Sequence, residues 1–400
     1  MVRPWHLAAC AVLLGFPAGC LSPVALHRAM LEYDRSVAEA ESEMLLLNIA
    51  RLHQEAPVHF TVTSNIAATF DFRSNAGVSG QIFERGGTAF SRNTYGLTLG
   101  ASVAENPTIS IVPIQGEEFA RRILTPLDHM KFDFVVHEGR NLHLLLRLMG
   151  RAFYLDEPSG RRLIVNDPAK PGDYEEFRRL VMHLAALHEA KALFIGPLRY
   201  EEEQEALLPQ PPTATEVLGA LTHGYQWSKT GPDGHYVLRR QVTGRTVITN
   251  MNPEHLPNAE RKRWQDSAVQ APPNAILIDI RPEGPGGTYA FRGLIKLRSL
   301  YEILNFVAHT LAQTPEYGVE PDPRSRFHGL NPVRTLAIHT SESAPADAAL
   351  AVMYNGRVYW IASDPTASWD REAFALVYQL FQLTVTDVSR AMVPAIAISK

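Results

Sequence analysis

The segment from Val58 to Pro113 constrains this chain more than any other, because apolar and polar residues alternate along it for far longer than in an ordinary hairpin. In its first half Phe70, Phe72, Ala76, Val78 and Ile82 share one parity, with Thr69, Asp71, Arg73 and Asn75 on the other. After Gly86-Gly87 the parity reverses, and Tyr95, Leu97, Leu99, Ala101 and Val103 alternate with Thr94, Thr98 and Ser102. A two-residue Gly-Gly turn supplies the positive φ angles of a tight hairpin and pairs Arg85 with Thr88. That register sets Val78 opposite Tyr95, Ala76 opposite Leu97, Phe72 opposite Ala101 and Phe70 opposite Val103, all on one apolar face. Alternation and turn thus predict one long antiparallel ribbon, with Pro107 expected to interrupt its ladder.

A two-stranded ribbon is marginal alone in water, so its apolar face needs a cover. Helices of the same chain supply one kind. Ribbons from several copies closing a shared barrel supply another, with the apolar face toward lipid and the Thr, Ser and Asn face toward water. The stretch from Ala68 to Ile82, paired with Ser91 to Glu105, is long enough for a membrane strand of roughly 9–11 residues.

The N-terminus places the chain. Arg3 and His6 precede an apolar run from Leu7 to Phe16, too short to span a membrane but of the length of a secretory h-region. Pro17-Ala18-Gly19-Cys20 follows, and looks like a lipoprotein cleavage site that exposes Cys20 for lipid attachment. Removal of residues 1–19 leaves Cys20 as the sole cysteine, which excludes an intrachain disulfide and a cysteine zinc site. Leu21, rather than Asp, follows it; by resemblance to enteric lipoproteins this implies sorting to the outer membrane. With Lys+Arg 38 against Asp+Glu 42, the chain has no basic footprint for nucleic acid.

Periodicity divides the remainder. A helix is expected from about Pro23 to His53, within an N-terminal segment 20–55, its Glu39, Glu41 and Glu43 forming a solvated face. The ribbon occupies 56–115. A helical segment, 116–160, holds helices at about Gly116 to Leu124, Asp128 to His137 and Asn141 to Phe153, the last capped by Asn141; Arg121, Arg122, Arg140, Arg147 and Arg151 make its surface basic. Short strands then alternate with helices in an α/β subdomain, 161–271. Pro272-Pro273 marks a boundary to a second such subdomain, 272–400, with an exposed loop from Thr314 to Pro332. In it Ala349 to Tyr354 and Arg357 to Ala362 flank Asn355-Gly356 as a type I′ hairpin, preceded by a strand from Arg334 to His339 and followed by a helix from Trp369 to Asp387 and a last strand from Ala395 to Ser399. The fold class is mixed α+β or α/β: N-terminal helix, long amphipathic hairpin, helical segment, mixed C-terminal body.

Leu45-Leu46-Leu47-Asn48-Ile49-Ala50-Arg51 ahead of the ribbon, Glu105-Asn106-Pro107-Thr108-Ile109, Leu124-Thr125-Pro126 and the hairpin Val352-Met353-Tyr354-Asn355-Gly356 ending Tyr359-Trp360-Ile361 are similar to a family of uncharacterised lipoproteins of Gram-negative bacteria. The resemblance implies a periplasm-facing, outer-membrane location and carries no catalytic residue over.

Catalytic patterns are missing from the sequence: there is no His-Glu-x-x-His helix, no Gly-x-Ser-x-Gly elbow and no nucleotide fingerprint. The loop Gly284-Pro285-Gly286-Gly287 lacks the Lys-Ser or Lys-Thr of a phosphate loop. His183 and His188 are five apart, so they diverge on a helix. No catalytic, cofactor or metal residue is assigned. The expectation is a non-catalytic, lipid-anchored outer-membrane lipoprotein that binds or scaffolds an envelope partner; alternatives are a subunit of an oligomeric pore, and a periplasmic enzyme with a dispersed site.

Overall fold

The computed structural model describes residues 21–81, 94–114, 116–208, 210–230, 235–311, 314–363 and 368–385. The leader with Cys20, the Gly86-Gly87 turn with Ile82, and the strand expected at 395–399 lie outside them. Two compact units make up the described chain: residues 21–38 and 59–114 in one, 39–58 and 116–385 in the other. Helix α1 (Leu21–His53) contributes to both.

In the first unit β1 (Phe60–Gln81) and β2 (Thr94–Ile114) pair as an antiparallel sheet of two strands. Val78 lies opposite Leu97, Ala76 opposite Leu99, Phe72 opposite Val103, Phe70 opposite Glu105 and Gly80 opposite Tyr95. The expected register is therefore wrong by two residues while its parity is right. Side chains repeat every second residue along a strand, so a slip of two leaves the apolar residues on one face and the alternation cannot detect it. Pairing also runs through Ala68–Pro107 and Thr61–Pro113, with its one irregularity between Thr63 and Asn65. Pro107 does not end the ladder, because both strands of a two-stranded sheet are edges and a proline can turn its nitrogen outward.

The second unit is built on a seven-stranded sheet of order β4-β3-β9-β8-β7-β5, with β6 also on β7. Its strands are β3 (Gly150–Glu157), β4 (Gly160–Val165), β5 (Phe194–Leu208), β6 (Gln226–Thr230), β7 (His235–Thr249), β8 (Ala275–Ile280) and β9 (Phe291–Leu297). Only β7 and β8 pair in parallel. Every residue of β8 is buried, which its Ala-Ile-Leu-Ile run requires of a central strand covered on both faces. On one face Ala275, Leu277, Leu198, Val247 and Leu294 pack on Trp264 and Ala268 of α7 (Asn258–Gln270). The other is covered by α5 (Pro171–Glu189), whose Phe177 ring lies 5.0 Å from that of Phe153. Since β8 and β9 complete this sheet, Pro272-Pro273 connects strands of one sheet and does not divide two subdomains.

Helices α2 (Glu117–Leu124), α3 (His129–His137) and α4 (Leu142–Met149) follow the ribbon in sequence. Asp128 and Asn141 cap the last two by accepting backbone N–H bonds. α4 stops at Met149, not Phe153, because Gly150 is its extended C-cap and begins β3. The remaining elements are α6 (Ala214–Thr222), α8 (Leu300–His309), a small sheet β10-β12-β11 of His339–Ser341, Arg357–Ala362 and Ala348–Tyr354, and α9 (Ser368–Val385). Asn355 and Gly356 have φ of 46° and 76°, the two positive angles of a type I′ turn. The strand expected from Arg334 is confined to β10. Glu41 is partly covered and accepts from Tyr378 and Gln382 of α9 at 2.7 Å each, whereas Glu39 and Glu43 are exposed.

Close strand approach fixes one glycine. A Cβ at Gly293 would stand 2.1 Å from the Tyr154 carbonyl oxygen and 2.9 Å from Leu155 Cα. Gly293→Ala is expected to force β3 from β9 at a cost of about 3 kcal/mol, near the top of the overpacking range. A urea midpoint matching the parent's would refute this.

Candidate functional site

Two clefts flank α8. Ser299 starts this helix with a reciprocal capping box: its hydroxyl accepts from the Glu302 N–H, and Glu302 accepts from the Ser299 N–H. The larger cleft, of about 480 Å³, lies between α8 and the turn from Asn166 to Lys170 that joins β4 to α5. The smaller, of about 330 Å³, lies between α8 and the end of α1; Asn305 and His309 border both.

Glu302, Arg151, Asp167 and Arg298 of the larger cleft are engaged by the fold. Glu302 pairs with Arg151 at 2.7 Å. Asp167 accepts from the Ala169 N–H at 3.0 Å. Arg298 is buried on its floor and donates to the carbonyls of Arg147, Leu148 and Asn166 at 3.1, 3.0 and 2.8 Å. Two of these are end carbonyls of α4, so the arginine neutralises the negative pole of that helix. Burial lowers its pKa to about 10, against the pull of Glu316 and Glu302. In the smaller cleft His53 Nδ1 shares a hydrogen bond with the Tyr359 hydroxyl at 2.8 Å, and burial followed by Arg357 lowers its pKa.

A buried polar assembly lies in the packed interior. Arg147 of α4 donates to Glu316 at 3.2 Å, Thr335 Oγ1 at 3.0 Å and the carbonyls of Pro332 and Val333 at 2.8 and 2.9 Å. Arg178 of α5 donates to the Tyr174 hydroxyl at 2.8 Å and Asn331 Oδ1 at 2.7 Å. Glu316 further accepts from the Tyr174 hydroxyl at 2.9 Å and from Thr335 N–H and Oγ1 at 2.5 and 2.7 Å. Burial works to raise the Glu316 pKa and is outweighed by Arg147 and the Thr335 donors, so it is lowered. Burial pushes the Tyr174 hydroxyl up, with Glu316 adding to the rise.

These bonds correct two expectations. Arg147 is not a surface cation but 1 % exposed. The loop beginning at Thr314 is not wholly exposed: Glu316, Val319, Ser325 and Phe327 are buried, with Glu316 and Asn331 held by the two arginines and Val319 and Phe327 packed against Tyr174, Met182 and Ala185. The sequence did hold a signal for this, a lone arginine inside Leu-His-Leu-Leu-Leu-Arg-Leu-Met, every residue of which is buried. A cation there requires buried acceptors.

Of the two spaced histidines, His183 is wholly buried and His188 only partly. Neither ring nitrogen of His183 meets a partner at full hydrogen-bond geometry, although the Gly286 backbone lies near enough to favour its protonation, and its ring lies 5.1 Å from Tyr289 and 6.3 Å from Phe291. Phe70, Phe72, Ala76, Val78, Tyr95, Leu97, Leu99, Ala101 and Val103, the face residues read from sequence, are all placed in the ribbon by its register. Among the described residues no cluster of three or more His, Cys, Asp or Glu could hold a metal ion, and no helix is long and apolar enough to cross a membrane. No family model matches this chain, and neither a curated protein nor a solved structure matches it.

Proposed function

We propose that this chain is a non-catalytic lipoprotein of the outer membrane, anchored through Cys20 on the periplasmic side, and that its ribbon is the working part, which docks an envelope partner. The observation carrying this reading is the ribbon itself: strands of 22 and 21 residues forming a sheet with no third strand among the described residues. Such a sheet is not stable alone and calls for a partner surface. The body is consistent with the same reading, since Glu302, Asp167 and Arg298 of its larger cleft are engaged by neighbours, and Arg147, Glu316 and Tyr174 are held in packed interior.

The test is the mass of the lipidated protein extracted in mild detergent, beside a variant lacking residues 68–105. The full chain is expected to run in a complex well above its own mass, and the variant as a single folded chain with an unchanged melting curve. Equal behaviour of the two would overturn the docking role.

A further inference from the structure

The partner of the ribbon, on the reading just proposed, can be identified from its edges. Free sheet edges invite pairing with other chains, and proteins protect them with charge, proline or irregular register. The body sheet does so on both sides. Its edge strand β4 carries Arg161 and Arg162, paired with Asp156, Glu157 and Glu176. Its other edge, β5, carries Glu202 and Glu203 paired with Arg240 and Arg239, together with Pro197 and two breaks in register. The ribbon does the opposite: from Ser74 to Gln81 and from Thr94 to Ala104 it contains no charged residue and no proline.

Pro107 fixes which backbone groups those edges offer. Opposed residues of an antiparallel ladder alternate between pairs that exchange hydrogen bonds and pairs that do not. Pro107 has no N–H to exchange, so Ala68–Pro107 is a pair of the second kind. Every second pair above it is then of that kind too: Phe70–Glu105, Phe72–Val103, Ser74–Ala101, Ala76–Leu99, Val78–Leu97 and Gly80–Tyr95. Their N–H and C=O groups point away from the ribbon, at both edges. These residues are also the ones of the apolar parity, with Glu105, close to Pro107, the one charge among them.

We infer that the partner is a second copy of this chain, with the outer edge of β1 in one copy pairing antiparallel with the outer edge of β2 in the next, above Pro107. Hydrogen-bonded residues across an antiparallel seam share a face. The seam therefore joins apolar parity to apolar parity and carries one face unbroken from copy to copy. A β1–β2 seam is head-to-tail, the kind that forms a ring when its rotation closes, with every ribbon, and every lipid anchor, pointing the same way. A β1–β1 seam would invert alternate copies. The closed sheet has one apolar face and one of Thr, Ser and Asn, the two surfaces of a membrane barrel with a wet interior.

Cysteine pairs test this in the full lipidated chain. Ala76→Cys is combined in turn with Tyr95→Cys, Leu97→Cys, Ala101→Cys and Val103→Cys. Within one chain Ala76 lies opposite Leu99, so Tyr95 and Val103 are beyond the roughly 7 Å Cα limit for a bridge to it, and their disulfides form only between copies. After oxidation at least one double variant is expected to give a ladder of covalent multimers on a reducing-agent-sensitive gel, and Ala76→Cys alone only monomer. No ladder in any double variant while the detergent-extracted mass stays multi-copy overturns the seam, as do dimers from Ala76→Cys alone. Failure of the docking role reads differently: deletion of 68–105 leaves the extracted mass unchanged.

Discussion

Glu316→Ala is expected to lower the stability of the folded body by about 3–5 kcal/mol, the range for removing one partner of a buried ion pair. Glu316 receives Arg147, the Tyr174 hydroxyl and both Thr335 donors, and its side chain is 1 % exposed. Without it Arg147 keeps only neutral acceptors while remaining desolvated, and Arg178 stands beside it. Replacing Arg147 and Glu316 together by methionine removes both charges, so this double variant is expected to cost less than the sum of Arg147→Met and Glu316→Met measured singly. Urea unfolding of the ribbon-deleted chain provides the measurement, with the two single variants and the double one forming the cycle. A loss below about 1 kcal/mol for Glu316→Ala would show that water reaches the site and solvates Arg147.

Acid is expected to weaken the body through His183. Burial lowers its pKa from 6.5 to about 4, with Asp322 working upward and Arg324 downward. The unfolded chain therefore binds the proton first as pH falls. The stability tied to a neutral His183 is fully present above about pH 6.5, declines below it, and is gone below about pH 4; at 1.36 kcal/mol per pKa unit it amounts to about 3 kcal/mol. His143 acts in the same direction. It is 1 % exposed, and burial, then Arg147 and Arg178, hold its pKa well below the usual histidine range. Unfolding midpoints measured from pH 7 to pH 5 are expected to fall for the parent and to fall less for His183→Leu. That variant removes two buried ring nitrogens whose one polar neighbour is the Gly286 backbone, so it is expected to stay close to the parent at pH 7. Identical pH slopes for the two proteins would locate the acid sensitivity elsewhere.

Much of the fold was legible because local rules decided it. Asn141 caps its helix as its side chain dictates, and Asn355-Gly356 turns the hairpin as its positive φ angles require. Ala275–Ile280 is a strand at the bounds its apolar run suggests. Less legible was the end of α4, where an apolar run continues through Gly150 and suits helix or strand alike. The polar interior was read least well. Arg147 meets Glu316 and Thr335 across more than 160 positions of chain, and residues that far apart leave no spacing to read.

Sequence by itself determined the ribbon and the parity of its apolar face, since both follow from a repeat of two within one stretch of chain. Only the tertiary structure decided the register, because a slip of two preserves that parity; the joining of strands across Pro272-Pro273 into one sheet, because strand pairing is long-range; and the burial of the Arg147 and Arg178 charges, because their acceptors come from a distant loop that those charges help hold in the core.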